Sequence, residues 1–439
     1  MVKPKKNLES LETVTFSDLL KSGHLLPVDN LPLYRLVPAI HTVSARFGYQ
    51  RVELSPFLTL DAYDKNRRWL DATEDEPPTI NLGTTKRFVL RPENFVSMLR
   101  TYIEHQIAER EQVTKWYYIE PVFSGSKQSF IRNYEVGWLH LGEASSLPDA
   151  QLITMIVGLF EELGLPRPIF TLNNKGCATC ANTYRTALLD YLQQQREGLC
   201  VACRELVAAA TDDQTAVSEP FDVFACLVED CQKRLAEAPQ VIDFLDAPCN
   251  RHLTTLLETL DELEILYQLN PRLFGNSIQS HSIFGVKLTE AETPDAHVAI
   301  GGRVTKFASK LAGQDVPALA FSLTFDTMFQ LLDQNHPSTR PPKTADVFLI
   351  NLGELAAKKS LRLFLELWKN GITVAEHFGS NGIKNQFKLA ETKGCPLALV
   401  IGQKEALDGT VILRDVRNGM QEVFSFDRII EEVKLRLQE

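Results

Sequence analysis

The chain has 439 residues, a formal net charge of −10 and an apolar share of 44%. That length implies two to four domains with a sizeable core, and no apolar run is long enough to span a membrane. The acidic balance argues against a general nucleic-acid footprint but leaves room for a local basic face.

The first residues, MVKPKKNLES, are basic with no apolar stretch behind them. The expectation is no secretory signal and a reducing cytoplasm. The eight cysteines are then metal ligands or buried thiols rather than disulfides. Residues 1 to about 25 are polar and expected to be loosely held. LPLYRLVPAIHTVSARFGYQ has helical spacing and ends near Gly48, and RVELSPFLTL follows as a strand with Pro56 inside it. DKNRRWLDATEDEPPTINLGTTK is polar and acidic and reads as an exposed loop.

FVLRPE is a short apolar run stopped by Pro92. NFVSMLRTYIEHQIAE places Phe95, Met98, Leu99, Tyr102, Ile103 and Ile107 on one side of a helix, with Asn94 as its N-cap. WYYIEPVF and NYEVGWLHLG form an antiparallel hairpin around a GSKQ turn, with Arg91 and Glu93 at its mouth. DAQLITMIVGLFEEL is an apolar helix ending at Gly164, and PRPIFTLNN is a strand. The pattern is α+β with antiparallel pairing.

The next segment holds two CxxC pairs, Cys177/Cys180 and Cys200/Cys203, with nineteen residues between them. Each pair can present two thiolates from one tight turn, and together they would complete a tetrahedral zinc shell. Buried free thiols are the alternative. Cys226 and Cys231 are a third half-site or a substitute for one pair, and Cys249 follows.

DAPCNRHLTTLLETLDELEILYQL reads as a helix, HVAIGGRVTKF as a strand running into Gly301, Gly302 and Arg303, and PALAFSLTFDTMFQLL as a strand and helix. NHPSTRPPK is a Pro-rich linker over residues 335–343. Alternating β and α units after it make a small parallel or mixed sheet. From Lys343 onward, fourteen Lys/Arg face thirteen Asp/Glu, so this part is neutral. Lys384, Lys388, Arg414 and Arg417 are its candidates for a local RNA-binding face, a solvated charged surface being the plain alternative.

LRPE, the helix after it, WYYIEPVF, the turn and a returning strand closing on glycine resemble the second signature motif of the class II aminoacyl-tRNA synthetases, the histidyl type most closely. The helix and Pro56-containing strand before it resemble the first motif, which implies a homodimer. GCATC, LCVAC and the segments around them resemble the insertion domain of some histidyl enzymes, so zinc there would serve folding. IKNQFKLAETKGCPLALVIGQKEALDGTVILRDVRNG resembles the anticodon-binding domain nearly residue for residue. The implied fold is α+β: a class II synthetase-like antiparallel sheet core with flanking helices over 1–171 and 253–334, a cysteine-containing, mostly helical insertion over 172–252, a linker over 335–343, and an α/β anticodon-binding-like domain over 344–439.

The resemblance also exposes departures. Arginines that contact ATP phosphates and adenine in the family fall at Ser124, Gly275 and Thr327. Phe95 stands for a pocket threonine and Leu139 for a pocket glutamate, and Asn276 to Ser280 replace an aspartate and two tyrosines. Adenylate formation needs fixed cations aimed at the developing charge, each worth about 10²–10³ in rate. Arg91, Glu93, Glu135 and Arg303 are then remnants of a substrate cleft, and no residue is assigned a catalytic role. The expectation is a non-catalytic, dimeric regulatory or binding paralogue whose partner is tRNA, another RNA, or a translation or histidine-pathway protein. One alternative is a divergent active histidine–tRNA ligase using ATP and magnesium, with Lys127, Arg132 and Lys287 as substitute cations. Another is a regulatory subunit of ATP phosphoribosyltransferase.

Overall fold

The computed structural model describes residues 31–66, 79–81, 87–126, 129–211, 220–275, 278–287, 298–335, 345–378 and 382–438. The expectations for residues 1–25, for Lys127 and for most of the 335–343 linker lie outside them. The chain forms two units, Met1–His336 and Pro337–Glu439.

In the first unit, α1 (Leu31–Arg46) leads to β1 (Gln50–Arg51) and β2 (Phe57–Thr59). The single strand expected across Pro56 is therefore two. β1 pairs with the main sheet and β2 with a second, three-stranded sheet. The segment between them, where Pro56 has no N–H to donate, is where the chain crosses from one sheet to the other. Then come α2 (Leu60–Asn66), β3 (Thr79–Asn81), β4 (Arg87–Leu90), α3 (Phe95–Glu104), and the long hairpin of β5 (Thr114–Ser126) and β6 (Ser129–Leu141). α4 (Leu147–Glu162) and β7 (Ile169–Asn174) follow. The insertion carries α5 (Ala178–Gln194), α6 (Val201–Thr211) and α7 (Glu229–Leu235). The chain returns through α8 (Ala247–Glu262), β8 (Tyr267–Leu269), β9 (Ser282–Lys287), β10 (Ala299–Arg303), α9 (Thr305–Ala312), β11 (Ala318–Thr324) and α10 (Phe325–Asn335).

α8 stops well short of the helix expected through YQL. Glu264 turns left-handed at φ 55°, and Tyr267–Leu269 pair in parallel with β7. The main sheet runs β1-β5-β6-β11-β10-β9-β7-β8. Its six inner strands are antiparallel and its two edges parallel. The period of two along β5 decides which side each residue serves. Tyr117 joins Trp138, Phe170, Phe284 and Phe321 in a core covered by α1, α4, α8 and α10. Trp116, Tyr118, Leu139 and Leu141 face the other way, under α3 and α9.

The insertion has a core of its own, built on Tyr184, Leu188, Leu192, Val207, Val223 and Phe224. The second unit places β12 (Val347–Asn351), α11 (Glu354–Lys369), β13 (Val374–Glu376), α12 (Ile383–Thr392), β14 (Leu397–Ile401), α13 (Gln403–Asp408), β15 (Thr410–Asp415), β16 (Gln421–Ser425) and α14 (Ile429–Gln438) in order. Its mixed sheet runs β13-β12-β14-β15-β16, parallel through β14 and antiparallel beyond. β12 and β14 are buried at every position, as continuous apolar runs between helices require. β16 escapes sequence detection because it is an exposed edge strand without apolar alternation.

Candidate functional site

The face of the sheet under α3 carries the polar remnants. Arg91, just after β4, is fully buried. Its Nη1 donates to Ser55 O at 2.5 Å and its Nη2 to Pro121 O at 3.1 Å, with Glu120 Oε2 3.5 Å away. Its backbone N–H donates to Pro56 O, and its carbonyl accepts from Phe123 N. Arg91 therefore bolts the Pro56 crossover to β5. Asn94 occupies the N-cap position of α3, but its side chain makes no capping bond. Glu93 Oε2 accepts from Val96 N–H at 2.7 Å instead. A carboxylate gains more than an amide there, because it also meets the positive end of the helix dipole.

Glu120 lies opposite Glu135 in the β5–β6 register, and Tyr118 lies opposite Gly137. Tyr118 folds over Gly137, where any Cβ would strike its ring. Its hydroxyl donates a short hydrogen bond to Glu135 Oε1. Burial pushes the Glu93 carboxyl up to about 7, against the Val96 N–H bond, and the Glu135 charge adds to the rise. Burial raises Glu135 as well, against hydrogen bonds from Tyr118 and Ser322. Arg91, Glu93 and Glu135 thus share one neighbourhood.

Arg303 does not join them. It sits opposite Leu319, whose side chain belongs to the helix-covered core, and it is buried. Its Nε donates to Asp149 Oδ2 at 2.9 Å, its Nη2 also reaches that carboxylate, and its Nη1 donates to Glu143 O. Ser282 holds the other Asp149 oxygen. In this placement every guanidinium nitrogen bonds to Asp149 on α4 or to the segment leading into it, and none turns to the Arg91–Glu93–Glu135 group.

The remainder of the expected pocket is apolar. Leu139 is fully buried between Trp116 and Ala320 in register. Phe95, Ile278 and Ala320 pack against the same cluster, which includes Val96, Met98 and Tyr102. Phe95 and Phe307 bring their ring centroids to 6.1 Å. Next to Ile278, the chain after Leu273 is drawn toward the insertion. Phe274 stacks on Phe221 at 4.6 Å and on Phe224 at 5.4 Å. Gly275 follows at φ +58°, a left-handed backbone that favours glycine. Thr327 lies in the first turn of α10, its hydroxyl 2.9 Å from that of Thr324. Of the substitute cations, Arg132 lies 5.4 Å over the Tyr134 ring and Lys287 is buried on β9.

The cysteines separate into two groups. Cys200, Cys203, Cys226 and Cys231 bring their sulfurs within 4.8 Å of one another. So do the ligand atoms of Cys177, Cys180, Asp246 and Cys249. The two CxxC pairs do not meet in one shell, as the sequence had suggested; each is completed by other residues. Asp246 and Cys249 were missed because their partners lie about seventy positions upstream, although the local spacing DAPC was a signal. In the second unit, Lys384 and Lys388 are exposed on α12, and Arg414 lies 4.6 Å over the ring of Phe387 between them. Arg417 is exposed in the turn after β15, where its N–H donates to Asp415 Oδ1.

An anticodon binding domain family matches residues 346–436. A histidine–tRNA ligase of Syntrophotalea carbinolica is 26% identical over 421 residues, covering 95% of this chain and 97% of that protein. The crystal structure of apo histidyl-tRNA synthetase from S. aureus superposes with a TM-score of 0.75 at 20% identity, covering 94% and 97% of the two chains. A Bacillus halodurans structure described as an ATP phosphoribosyltransferase regulatory subunit/histidyl-tRNA synthetase gives 0.60 at 13% identity, covering 86% and 96%. With a relative matched from end to end, a fold shared throughout and an anticodon binding domain matched in the second unit, the chain is similar over nearly its whole length to the histidyl-tRNA synthetases of class II.

Proposed function

We propose that this protein is a non-catalytic, dimeric member of its family that binds RNA. The observation carrying this is the filling of the expected amino-acid pocket by Phe95, Leu139 and Ile278 within one apolar cluster. Histidine brings an ammonium, a carboxylate and an imidazole; against hydrocarbon an unpartnered neutral polar group costs on the order of 2–7 kcal/mol and an unpaired charge far more. The chain also has serine, glycine and threonine where adenylation calls for fixed cations. The C-terminal unit supports RNA as the ligand: Lys384 and Lys388 flank Phe387 on α12, and Arg414 lies on its ring. Cations beside an aromatic face suit phosphate and base together. Zinc in this reading holds the insertion and takes no part in chemistry, and the dimer follows from the likeness to the first class II motif.

The test is histidine-dependent ATP–pyrophosphate exchange with the purified full chain, beside tRNA binding by fluorescence anisotropy. No exchange together with salt-sensitive binding, weakened by Lys384→Glu/Lys388→Glu, is expected. Robust exchange would make the chain an active histidine–tRNA ligase, the reading favoured by its relative's activity. Copurification with a phosphoribosyltransferase, without RNA binding, would move it to the regulatory class named for the Bacillus halodurans neighbour.

A further inference from the structure

We infer that the insertion holds two zinc ions in sites of different chemistry. One is a four-thiolate site inside the insertion: Cys200, Cys203, Cys226 and Cys231. The other is a site of three thiolates and one carboxylate at its root: Cys177, Cys180, Cys249 and Asp246. The inference rests on the structural-zinc reading above and replaces one shared ion with two.

The distances are those of coordination. A tetrahedron with zinc–sulfur bonds of about 2.3 Å separates its sulfurs by about 3.8 Å. Cys200 Sγ and Cys226 Sγ are 3.8 Å apart, and Cys177 Sγ and Cys180 Sγ 3.6 Å. Both lie far beyond the roughly 2.05 Å of a disulfide. Cys177 Sγ and Asp246 Oδ2 are 3.3 Å apart, against about 3.6 Å for a sulfur and an oxygen on one zinc. Four ligand atoms this close surround a single ion and leave no room for the bridging sulfides of an iron–sulfur cluster. A carboxylate in the second set also speaks against a redox pair, since Asp246 can complete a metal shell but not a disulfide.

The surroundings are arranged for thiolates. Cys231 Sγ accepts from Cys200 N–H at 3.1 Å, Cys249 Sγ from Cys177 N–H at 3.2 Å, and Cys180 Sγ from Asp246 N–H at 3.2 Å. Such N–H donors offset the negative charge that several thiolates bring to one divalent ion. Asp246 divides its oxygens: Oδ1 caps α8 by accepting from Cys249 N–H at 2.9 Å, which leaves Oδ2 for the metal. Gly176 turns left-handed at φ +69°, and a Cβ there would strike Cys180 and come to 3.0 Å from Leu245 Cδ2. The bend delivers Cys177 to Asp246.

Position separates the two roles. The four-thiolate site joins the start of α6, the segment before α7, and α7 itself, all parts of the insertion. The root site joins the first turn of α5, three residues past β7 of the main sheet, to the first turn of α8, whose Leu256 and Leu260 lie in the main core. These are the two places where the chain crosses between core and insertion, 69 residues apart at Cys177 and Asp246. A metal there closes that loop at its neck. Its exposed carboxylate makes it the more labile of the two.

The experiment is metal analysis of the full chain purified without chelator, followed by cobalt substitution and timed zinc release to a chromogenic chelator. Two zinc per chain are expected, released in two phases. The cobalt charge-transfer bands should fit one four-thiolate and one three-thiolate centre. Cys249→Ser and Asp246→Asn should abolish the fast phase and leave one equivalent, whereas Cys226→Ser should abolish the slow one. One equivalent confined to the four-thiolate set, or two indistinguishable centres, overturns the two-site inference and leaves structural zinc standing. No metal, or iron, overturns both. Stoichiometry and cobalt spectra of the unmutated chain decide the matter even if a variant fails to fold.

Discussion

Phe274 lies face to face with Phe221, ring centroids 4.6 Å apart and planes 8° from parallel, joining the segment after NPRL to the core of the insertion. Tyr184 lies nearly parallel to both rings, and Phe224 stacks on Phe274. The chain that carries a phosphate-binding arginine in the family is here used as packing. Phe274→Ala should therefore cost about 3–5 kcal/mol, the usual range for deleting a buried phenyl ring. Urea denaturation should show the loss, and hydrogen exchange should localise it to α5, α6 and the Phe221–Phe224 turn. Unchanged protection there would mean that the stack bears no load.

On the non-catalytic reading proposed above, placing guanidinium groups at positions 124, 275 and 327 should not produce adenylation. Arginine at 275 would have to hold φ near +58°, and its Cβ would strike Gln279. A left-handed non-glycine residue costs roughly 1–2 kcal/mol before any contact is counted. Beyond that, Phe95, Leu139 and Ile278 line part of the expected pocket with hydrocarbon. The triple variant Ser124→Arg/Gly275→Arg/Thr327→Arg is expected to give no histidine-dependent pyrophosphate exchange. Exchange above background would show that charge alone was lacking.

What could be read from sequence divides along a physical line. The Thr114–Leu141 hairpin was legible because its alternation is local and dense in aromatic and β-branched residues. β12 and β14 were legible as unbroken apolar runs. Arg303 was not, because its meaning depends on Asp149, 154 positions away, on a helix that gives no hint of a buried partner. A GGR turn reads the same whether its arginine faces a ligand or an ion pair. The cysteines show the same limit. CxxC spacing announces a half-site, but which half-sites meet is decided by how α5, α6 and α7 pack. Asn94 looked like the cap of α3 by type, while its neighbour Glu93 took the bond by geometry.

The Asp149–Arg303 pair is buried at both ends, 0% and 3% exposed. Removing one partner strands the other charge in the core, which costs about 3–5 kcal/mol. Asp149→Asn should show that cost in denaturation, since the amide keeps the shape and loses the charge. Asp149→Leu/Arg303→Met should be less destabilised than Asp149→Asn, because a buried pair exchanged for hydrocarbon leaves no uncompensated charge. Equal losses in all these variants would place the cost in packing instead.

Glu93 makes stability depend on pH in a direction that can be worked out. Its carboxyl is raised from 4.5 to about 7 in the folded chain, chiefly by burial. Between those values the unfolded chain has released the proton and the folded chain still holds it, so the folded state binds more protons. Stability then falls as pH rises from about 4.5 to about 7. His140, His252 and His281 act oppositely: burial lowers each of them, so their contribution grows as pH rises toward 6.5. A raw pH profile mixes the two. The difference between the native chain and Glu93→Gln isolates the carboxyl, because the amide oxygen still accepts from Val96 N–H. At about pH 4 the native chain should have lost little to this carboxyl, and by about pH 7.5 it should have lost on the order of 3 kcal/mol relative to the glutamine variant. Parallel melting-temperature curves for the two proteins across that range would mean that Glu93 titrates as it does in water.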